Sequence, residues 1–338
     1  MPERIGKYTV LTPSHPAVIS YAAAVGKKEG EGPLSAEFDY IAEDTTLGEA
    51  SWERAESLLQ KTAVQYALKK GNLSATDIDV IFAGDLLDQC IGSTFGLRDF
   101  GIQLVGLFGA CSTMALSLIN AALAVDSGWA ERAVAVTSSH FCSAERQFRQ
   151  PIDYGGQRPP TSQWTVTGSG ACVVGRGEGP HVERLTLGRI VDLGVTDANN
   201  MGAAMAPAAA DTILRFFEDT KTGPDDYDAV VTGDLGVVGS KLLGELMQKE
   251  GVDISKVHRD CGVMIFNINA QDVHSGGSGC GCSGSVLCSN LLNRMNKGEL
   301  NDILFCATGA LMSPTSSQQG ESIPAVCHAV SIFSKEAL

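Results

Sequence analysis

The stretch DIDVIFAGDL, residues 77–86, returns as DYDAVVTGDL at residues 226–235, with its aspartates and its Gly-Asp-Leu ending in register. An amphipathic segment precedes each copy, ASWERAESLLQKTAVQYALKKGNL before the first and AMAPAAADTILRFFEDTKTG before the second, which is helical in pattern once past Pro207. Each copy reads as a buried strand that follows a helix. The repeat therefore predicts two halves with the same order of elements.

A second correspondence follows each strand. ACSTMALSLINAALAVDSGWAERAVAVTSS resembles GCSGSVLCSNLLNRMNKGELNDILFCATGA, which places Cys111 opposite Cys282 and Thr137 opposite Thr308. Near-continuous apolar strands such as AVAVTSS and DILFCAT, alternating with helices, predict an α/β fold with mostly parallel sheets and helices on their faces. Glycine and charge near GRGEGPH suggest a boundary that divides the chain into residues 1–179 and 180–338.

Composition limits the function. The chain has 338 residues, enough for one large core or two packed halves, and a formal net charge of -14, which repels phosphate backbones and anionic lipid headgroups. Nucleic acid is therefore not an expected partner. The sequence shows neither a signal peptide nor an apolar run that would span a bilayer, so we expect a soluble protein. Ten cysteines without regular spacing fit a reducing compartment and mostly buried thiols.

Cys111 is the first candidate functional residue. It follows the apolar run QLVGLFGA and precedes the helical pattern STMALSLINAAL, so it lies at a strand-to-helix corner. The helix start favours a thiolate and offers free amides to an oxyanion or a carboxylate. Position alone leaves two interpretations open: a nucleophile, or a small buried thiol that fits a tight corner.

The possible partners of Cys111 are less clear. His140 closes the strand AVAVTSSH, and His328 lies in the apolar run AVCHAVSI, where a hydrogen-bonded core histidine is more common than a functional one. Asp234 ends its strand near the sheet edge, but Asp85 has the same place in the first half, so loop anchoring explains both.

Charged and glycine-rich motifs supply further candidates. Arg146 and Arg149 in AERQFRQP can form bidentate hydrogen bonds to a carboxylate, or they can form surface ion pairs. HRDC at 258–261 and CGC at 280–282 lack the usual zinc spacing, and we predict no metal site. SGGSGCGCSGS at 275–285 lacks the lysine of a phosphate loop and reads as a helix-start turn that allows close backbone approach.

The order of these pieces resembles the thiolase superfamily, and LFGACSTM looks like the nucleophile loop of β-ketoacyl-ACP synthase III. The resemblance implies a thiolase-like fold of two pseudo-twofold-related βαβαβαββ halves in a five-layer αβαβα sandwich. Those enzymes complete the site with a histidine and an asparagine. This sequence has Gly233-Asp234 and Gly277 at the corresponding places, and His274 stands in a turn that departs from the thiolase pattern. The enzymatic site therefore looks incomplete.

A closer resemblance covers nearly the whole chain. Nine collinear blocks are similar to the stage V sporulation protein AD family: GACSTM, TSSHFCSAERQFRQP, YGGQRP, TVTGSGA, AMAPAAADTI, DDYDAVVTGDL, GGSGCGCS, ATGALMSPT and ESIP. The resemblance implies a non-catalytic protein that binds dipicolinic acid. It also implies action with the other stage V sporulation A proteins at the inner membrane of the developing spore, in calcium dipicolinate uptake and in release at germination.

The resemblance also leads to a predicted ligand pocket between the halves. We expect it to include Cys111, Ser139, Arg146, Met205, Asp234, Gly277 and His328. No cofactor is expected, and calcium only as part of the ligand. Thiolase-like chains pair through the first-half sheet, which implies a homodimer. The alternatives are an acyl-transferring enzyme that uses Cys111 with Asp234, His328 or His140, and a scaffold without a pocket.

Overall fold

A computed structural model describes residues 1–149 and 157–334. The strands are β1 (Glu3–Ile5), β2 (Thr9–Leu11), β3 (Ala17–Val25), β4 (Tyr40–Ile41), β5 (Val80–Gly84), β6 (Gln103–Gly106), β7 (Arg132–Ser139), β8 (Trp164–Thr165), β9 (Gly168–Gly175), β10 (His181–Thr186), β11 (Ala229–Thr232), β12 (His258–Asp260), β13 (Gly277–Ser278), β14 (Asp302–Ala310) and β15 (Ala325–Phe333). The helices are α1 (Lys27–Gly30), α2 (Trp52–Lys70), α3 (Ile91–Leu97), α4 (Thr113–Asp126), α5 (Phe141–Gln147), α6 (Met201–Thr220), α7 (Gly236–Lys249), α8 (Cys261–Met264), α9 (Cys280–Val286), α10 (Leu292–Asn296) and α11 (Pro314–Gln318). A π-helical segment, Leu287–Leu291, joins α9 to α10.

The sheets show the internal repeat directly. The first sheet has the order β6-β5-β7-β9-β3, and the second has the equivalent order β12-β11-β14-β15-β10. In the first, β5 runs parallel to β6 and β7, while β9 runs antiparallel to β7 and β3. The second repeats this pattern with β11, β12, β14, β15 and β10. The two sheets join where His181 of β10 pairs with Ala17 of β3.

The helices form three layers around the two sheets. Helices α4 and α9 lie between the sheets, where Met114 and Leu118 belong to one apolar cluster with Phe82 and Phe305. Helix α2 covers the outer face of the first sheet, and α6 covers that of the second. The α/β fold with five αβαβα layers is therefore confirmed. The prediction of mostly parallel sheets is wrong, because two of the four neighbouring strand pairs in each five-stranded sheet are antiparallel. The predicted boundary at residues 179 and 180 falls in the segment between β9 and β10.

One helix boundary differs from the sequence prediction. Helix α6 begins at Met201 and contains Pro207, whereas the pattern predicted helix only after the proline. The helical residues before Pro207 are mostly buried, and Gly202 lies against the backbone of Leu235 and Gly239. A proline removes one backbone donor, but burial of this first stretch of α6 outweighs that loss.

Candidate functional site

Cys111 lies at the predicted corner between β6 and α4. Ala110 has a positive φ of 50°, which turns the chain sharply before the cysteine. The Ser112 hydroxyl donates to the Gly109 carbonyl at 2.6 Å, and the Thr113 hydroxyl donates to the Ala110 carbonyl at 2.6 Å. These local bonds fix the corner and leave the thiol 6% exposed.

The thiol of Cys111 contacts groups from the second half. Its Sγ lies 4.0 Å from the Ser278 Oγ, and the Ser278 hydroxyl in turn donates to the Asp234 carboxylate at 3.2 Å. Burial raises the pKa of the Cys111 thiol well above its ordinary value, and Asp234 raises it further, while Arg149 opposes both. The sequence predicted that the start of α4 would favour a thiolate. The structure gives the opposite direction, because burial and a neighbouring carboxylate outweigh the helix end.

Asp234 is held at the end of β11 by donors from three segments. Its carboxylate accepts bonds from the Gly279 backbone amide at 2.8 Å, the Thr308 hydroxyl at 2.9 Å and the Ser278 hydroxyl at 3.2 Å. Burial raises the pKa of Asp234, whereas these donors lower it. Asp234 thereby ties β11, β14 and the start of α9 together directly beside Cys111.

The matching aspartate of the first half has a different surrounding. The carboxylate of Asp85 accepts bonds from the Ser93 amide at 2.7 Å, the Ser93 hydroxyl at 2.6 Å and the Leu87 amide at 2.9 Å. Loop anchoring accounts for these contacts. Asp234 differs, because its partners come from β13, β14 and the start of α9, while the amides of Leu235 and Gly236 in its own loop donate to Asp260.

Two adjacent spaces share lining residues near Cys111, which itself lines the smaller one. The inner chamber has a volume of about 30 Å³ and the outer cavity about 400 Å³. The inner chamber is lined by Leu86, Phe108, Ala110, Cys111, Phe148, Arg149, Met201, Ser278, Ala310 and Met312. The outer cavity is lined by Phe141, Glu145, Phe148, Arg149, Gln157, Arg158, Pro159, Ser162, Gln163, Ala198, Asn199, Met201, Met312, Pro314, Ser317 and Gln318. They share Phe148, Arg149, Met201 and Met312 as a common wall.

Two arginines supply positive charge to the outer cavity. Arg149 donates from Nη1 to the Gln163 carbonyl at 2.5 Å, and its Nε lies 4.0 Å from the Glu145 Oε1. Arg158 donates from Nη2 to the Asp272 carbonyl at 3.0 Å. Within residues 1–149 and 157–334, the buried Nε of Arg149 and Nη1 of Arg158 have no hydrogen-bond partner. A buried donor without a partner is costly, so each is suited to an acceptor on a ligand.

Aromatic rings support the same cavity. The rings of Phe141 and Trp164 stack at 3.7 Å with an interplanar angle of 7°. The Arg158 guanidinium lies 4.5 Å from the centroid of Trp164, and the Lys28 ammonium lies 4.2 Å from it. The cationic groups at this wall are thus held by a rigid aromatic pair.

Gln163 connects the cavity to the second half. Its Nε2 donates to the Asp234 carbonyl at 2.7 Å and to the Gly277 carbonyl at 2.8 Å. Gly277 itself pairs with Trp164 in the short β13-β8 ladder. The predicted site position Gly277 therefore contributes its backbone, while the next residue, Ser278, presents the side chain near Cys111.

Four predicted site residues lie elsewhere. The Ser139 hydroxyl donates to the Val166 carbonyl at 2.7 Å, and Met205 is buried in the core under the second sheet. Arg146 is exposed, lies 3.1 Å from the Glu53 Oε1 and stacks on Trp52. The ring of His328 accepts at Nδ1 from the Gly188 amide at 3.1 Å. None of these four lines either space.

His140 and His328, the two histidines considered as partners of Cys111, have other contacts. Burial lowers the pKa of His328 to about 4, and burial also lowers the pKa of His140. His140 caps α5 by accepting from the Cys142 amide at 3.1 Å, and its Nε2 donates to the Thr45 carbonyl at 2.8 Å. Both nitrogens of His140 are therefore occupied.

Several cavity residues were missed at the sequence level. Arg149 was considered with Arg146, but the pattern could not show that α5 ends at Gln147 and that the following turn directs Arg149 inward. Arg158 and Gln163 lie in a loop without periodicity. The predicted block YGGQRP lies partly outside the described residues, because its first three residues fall in the gap at 150–156.

A five-layer sandwich with a buried cysteine at the start of a central helix defines a thiolase-like protein. Solved structures agree: 3-oxoacyl-[acyl-carrier-protein] synthase III from Aquifex aeolicus has a TM-score of 0.57 at 14% identity, covering 94% of this chain and 99% of that chain. An OleA variant from Xanthomonas campestris has a TM-score of 0.59 at 12% identity, covering 94% and 98%. These likenesses establish the fold.

Sequence comparison gives the family. The family model of stage V sporulation protein AD matches residues 6–333. Stage V sporulation protein AD from Bacillus subtilis (strain 168) is 45% identical over 318 residues, 94% of each chain. The chain belongs to the stage V sporulation protein AD family and is a sporulation protein. In the part of the chain that the structure describes, no helix has the length and apolar character needed to cross a membrane.

Proposed function

We propose that this chain is a non-catalytic protein that binds dipicolinic acid in the outer cavity during calcium dipicolinate uptake into the developing spore. The observation that carries the proposal is that Arg149 and Arg158 line one cavity of about 400 Å³ and that each has a buried N–H group without a hydrogen-bond partner among the described residues. Dipicolinate is a flat pyridine with two carboxylates. Guanidinium groups are the preferred partners of carboxylates, and the volume lies in the usual range for small-molecule sites.

The outer cavity suits the ligand better than the space next to Cys111. The inner chamber, at about 30 Å³, has room for about one water molecule and not for a pyridine ring. The sequence placed the pocket around Cys111. We now place the ligand on the far side of the shared wall, where Phe141 and Phe148 offer apolar surface to its ring.

Calorimetric titration with dipicolinate, with and without calcium, tests this function. We expect 1:1 binding, because the two arginines face a single cavity. Picolinate, which has one carboxylate, is the matched control and should bind at least about tenfold more weakly, since it leaves one arginine unpaired. Absence of both heat and a thermal shift at millimolar dipicolinate would contradict the proposal.

An enzyme that transfers acyl groups through Cys111 is the second candidate. The position of Cys111 at the start of α4 favours it. The raised pKa of its thiol and the occupied nitrogens of His140 oppose it. Incubation with acyl-CoA followed by intact-mass measurement separates the two functions. An adduct that disappears in Cys111→Ala would favour the enzyme.

The proposed partners are the other stage V sporulation A proteins at the inner membrane of the developing spore, with peripheral attachment of this chain. Release of calcium dipicolinate at germination is proposed as a second occasion for the same binding. Family membership supports both proposals. Calcium enters only as part of the ligand.

We also propose a homodimer that forms through β6. This strand is the free edge of the first sheet. Leu104 within the strand is 42% exposed, and Phe108 just after it is 55% exposed. An exposed strand edge with apolar side chains favours pairing with a second chain. Sedimentation should show twice the chain mass of 35.5 kDa. Leu104→Lys should yield monomers, and the matched change at the exposed Val237 should not; a native monomer at micromolar concentration would refute the dimer.

A further inference from the structure

Asp234 stands where a base would have to stand to activate Cys111. The Ser278 hydroxyl links the two side chains, because it lies 4.0 Å from the Cys111 sulfur and donates to the Asp234 carboxylate at 3.2 Å. The other neighbours of this carboxylate, the Gly279 amide and the Thr308 hydroxyl, are also donors. These donors lower the pKa of Asp234, whereas burial raises it and has the larger effect.

Asp234 is the acidic side chain that acts most strongly on the Cys111 thiol. Arg149, on the shared wall, is the cation that acts on Cys111, but it is also paired with Glu145 and the Gln163 carbonyl. Cys280 is a neutral buried thiol in the same apolar cluster. A thiolate at Cys111 would therefore be a buried negative charge beside the carboxyl group of Asp234, which is strongly unfavourable.

We propose that Asp234 keeps the Cys111 thiol unreactive. The protein can then bind its ligand in the presence of acyl thioesters without being acylated at Cys111. The inference rests on the proposed binding function and adds that acyl thioesters do not react at this site. In the acylation that Asp234 prevents, the Cys111 sulfur would lose its proton and attack the thioester carbonyl. A new S–C bond would form as the bond to the coenzyme sulfur broke, and the coenzyme would leave as its thiol with the proton.

The test measures alkylation of Cys111 by iodoacetamide across pH, read by peptide mapping, with the half-buried Cys142 as the reference thiol in the same chain. In the native protein we expect the rate at Cys111 to keep rising beyond about pH 9, because only the thiolate reacts. Asp234→Asn should raise the rate at neutral pH by about tenfold, the effect of one unit of thiol pKa. Acetyl-CoA should leave native Cys111 unmodified.

Asp85→Asn is the matched control, because Asp85 is the equivalent aspartate of the first half and has no contact with Cys111. It should leave the Cys111 profile unchanged. A plateau of the native rate below about pH 8, an acetyl adduct on native Cys111, or identical profiles for native and Asp234→Asn would each overturn the proposal. If the Asn variant does not fold, a plateau of the native rate below about pH 8 or an acetyl adduct on native Cys111 still contradicts the proposal. Dipicolinate titration of the native protein is independent, so a failure of the binding function is recognised separately.

Discussion

Replacing Arg149 with methionine should lower the affinity for dipicolinate by at least about 30-fold. The guanidinium lies on the wall shared by the two spaces, and its buried Nε has no hydrogen-bond partner among the described residues, with the Glu145 Oε1 at 4.0 Å. A carboxylate that reaches this N–H replaces water with a charge-assisted bond in a mostly buried setting. Removing one partner of such a pair costs about 2 kcal/mol or more, which corresponds to the expected loss. Calorimetry measures it.

Arg146→Met is the control, because it makes the same chemical change three residues earlier. Arg146 is exposed, and its partners are Glu53 and the Trp52 ring, both outside the cavity. The affinity of Arg146→Met for dipicolinate should stay within about twofold of the native value, since surface ion pairs contribute little. Equal losses in both variants, or none in Arg149→Met, would remove Arg149 from the ligand site. Thermal unfolding of both variants verifies that they remain folded.

The contact between Cys111 and Asp234 could be predicted in outline, because both residues follow strands that end at one edge of the layered fold. The repeat assigned Asp234 and Asp85 equivalent places, and the structure shows that only the former meets the cysteine. A pattern of residues cannot give the direction in which the pKa of the Cys111 thiol is shifted. That direction depends on how completely the corner is buried and on which charge lies against it.

The basic residues of the cavity were harder to predict for a different reason. Arg149 follows the end of α5, and Arg158 lies in an irregular loop, so neither position is fixed by periodicity. Their orientation depends on tertiary contacts, the Gln163 carbonyl for one and the Trp164 ring for the other. Arg146, in contrast, lies on the last turn of a helix and faces solvent, which the spacing alone did not distinguish from Arg149.

The fold itself depends on close contact between glycine-rich segments, which leads to the second large effect. A side chain at Gly170 of β9 would place its Cβ 2.8 Å from the Gly284 Cα and closer still to the carbonyl carbon and oxygen of Gly284. All three atoms belong to the backbone of α9, which lies between two sheets and has no room to withdraw. Gly170→Ala should therefore lower the free energy of unfolding by about 3 kcal/mol or more. Chemical denaturation measures the loss.

Gly244→Ala separates this clash from a general effect of changing glycine. Gly244 lies within α7, and a Cβ there would meet no atom within 4 Å, so alanine should raise stability by about 0.5–1 kcal/mol. Opposite signs are thus expected for the same substitution. The sequence predicted that SGGSGCGCSGS allows close backbone approach, and Gly281 agrees, because a Cβ at this position would clash with the Gly168 carbonyl oxygen. A Gly170→Ala protein as stable as the native protein would show that β9 and α9 can move apart, and would contradict this prediction.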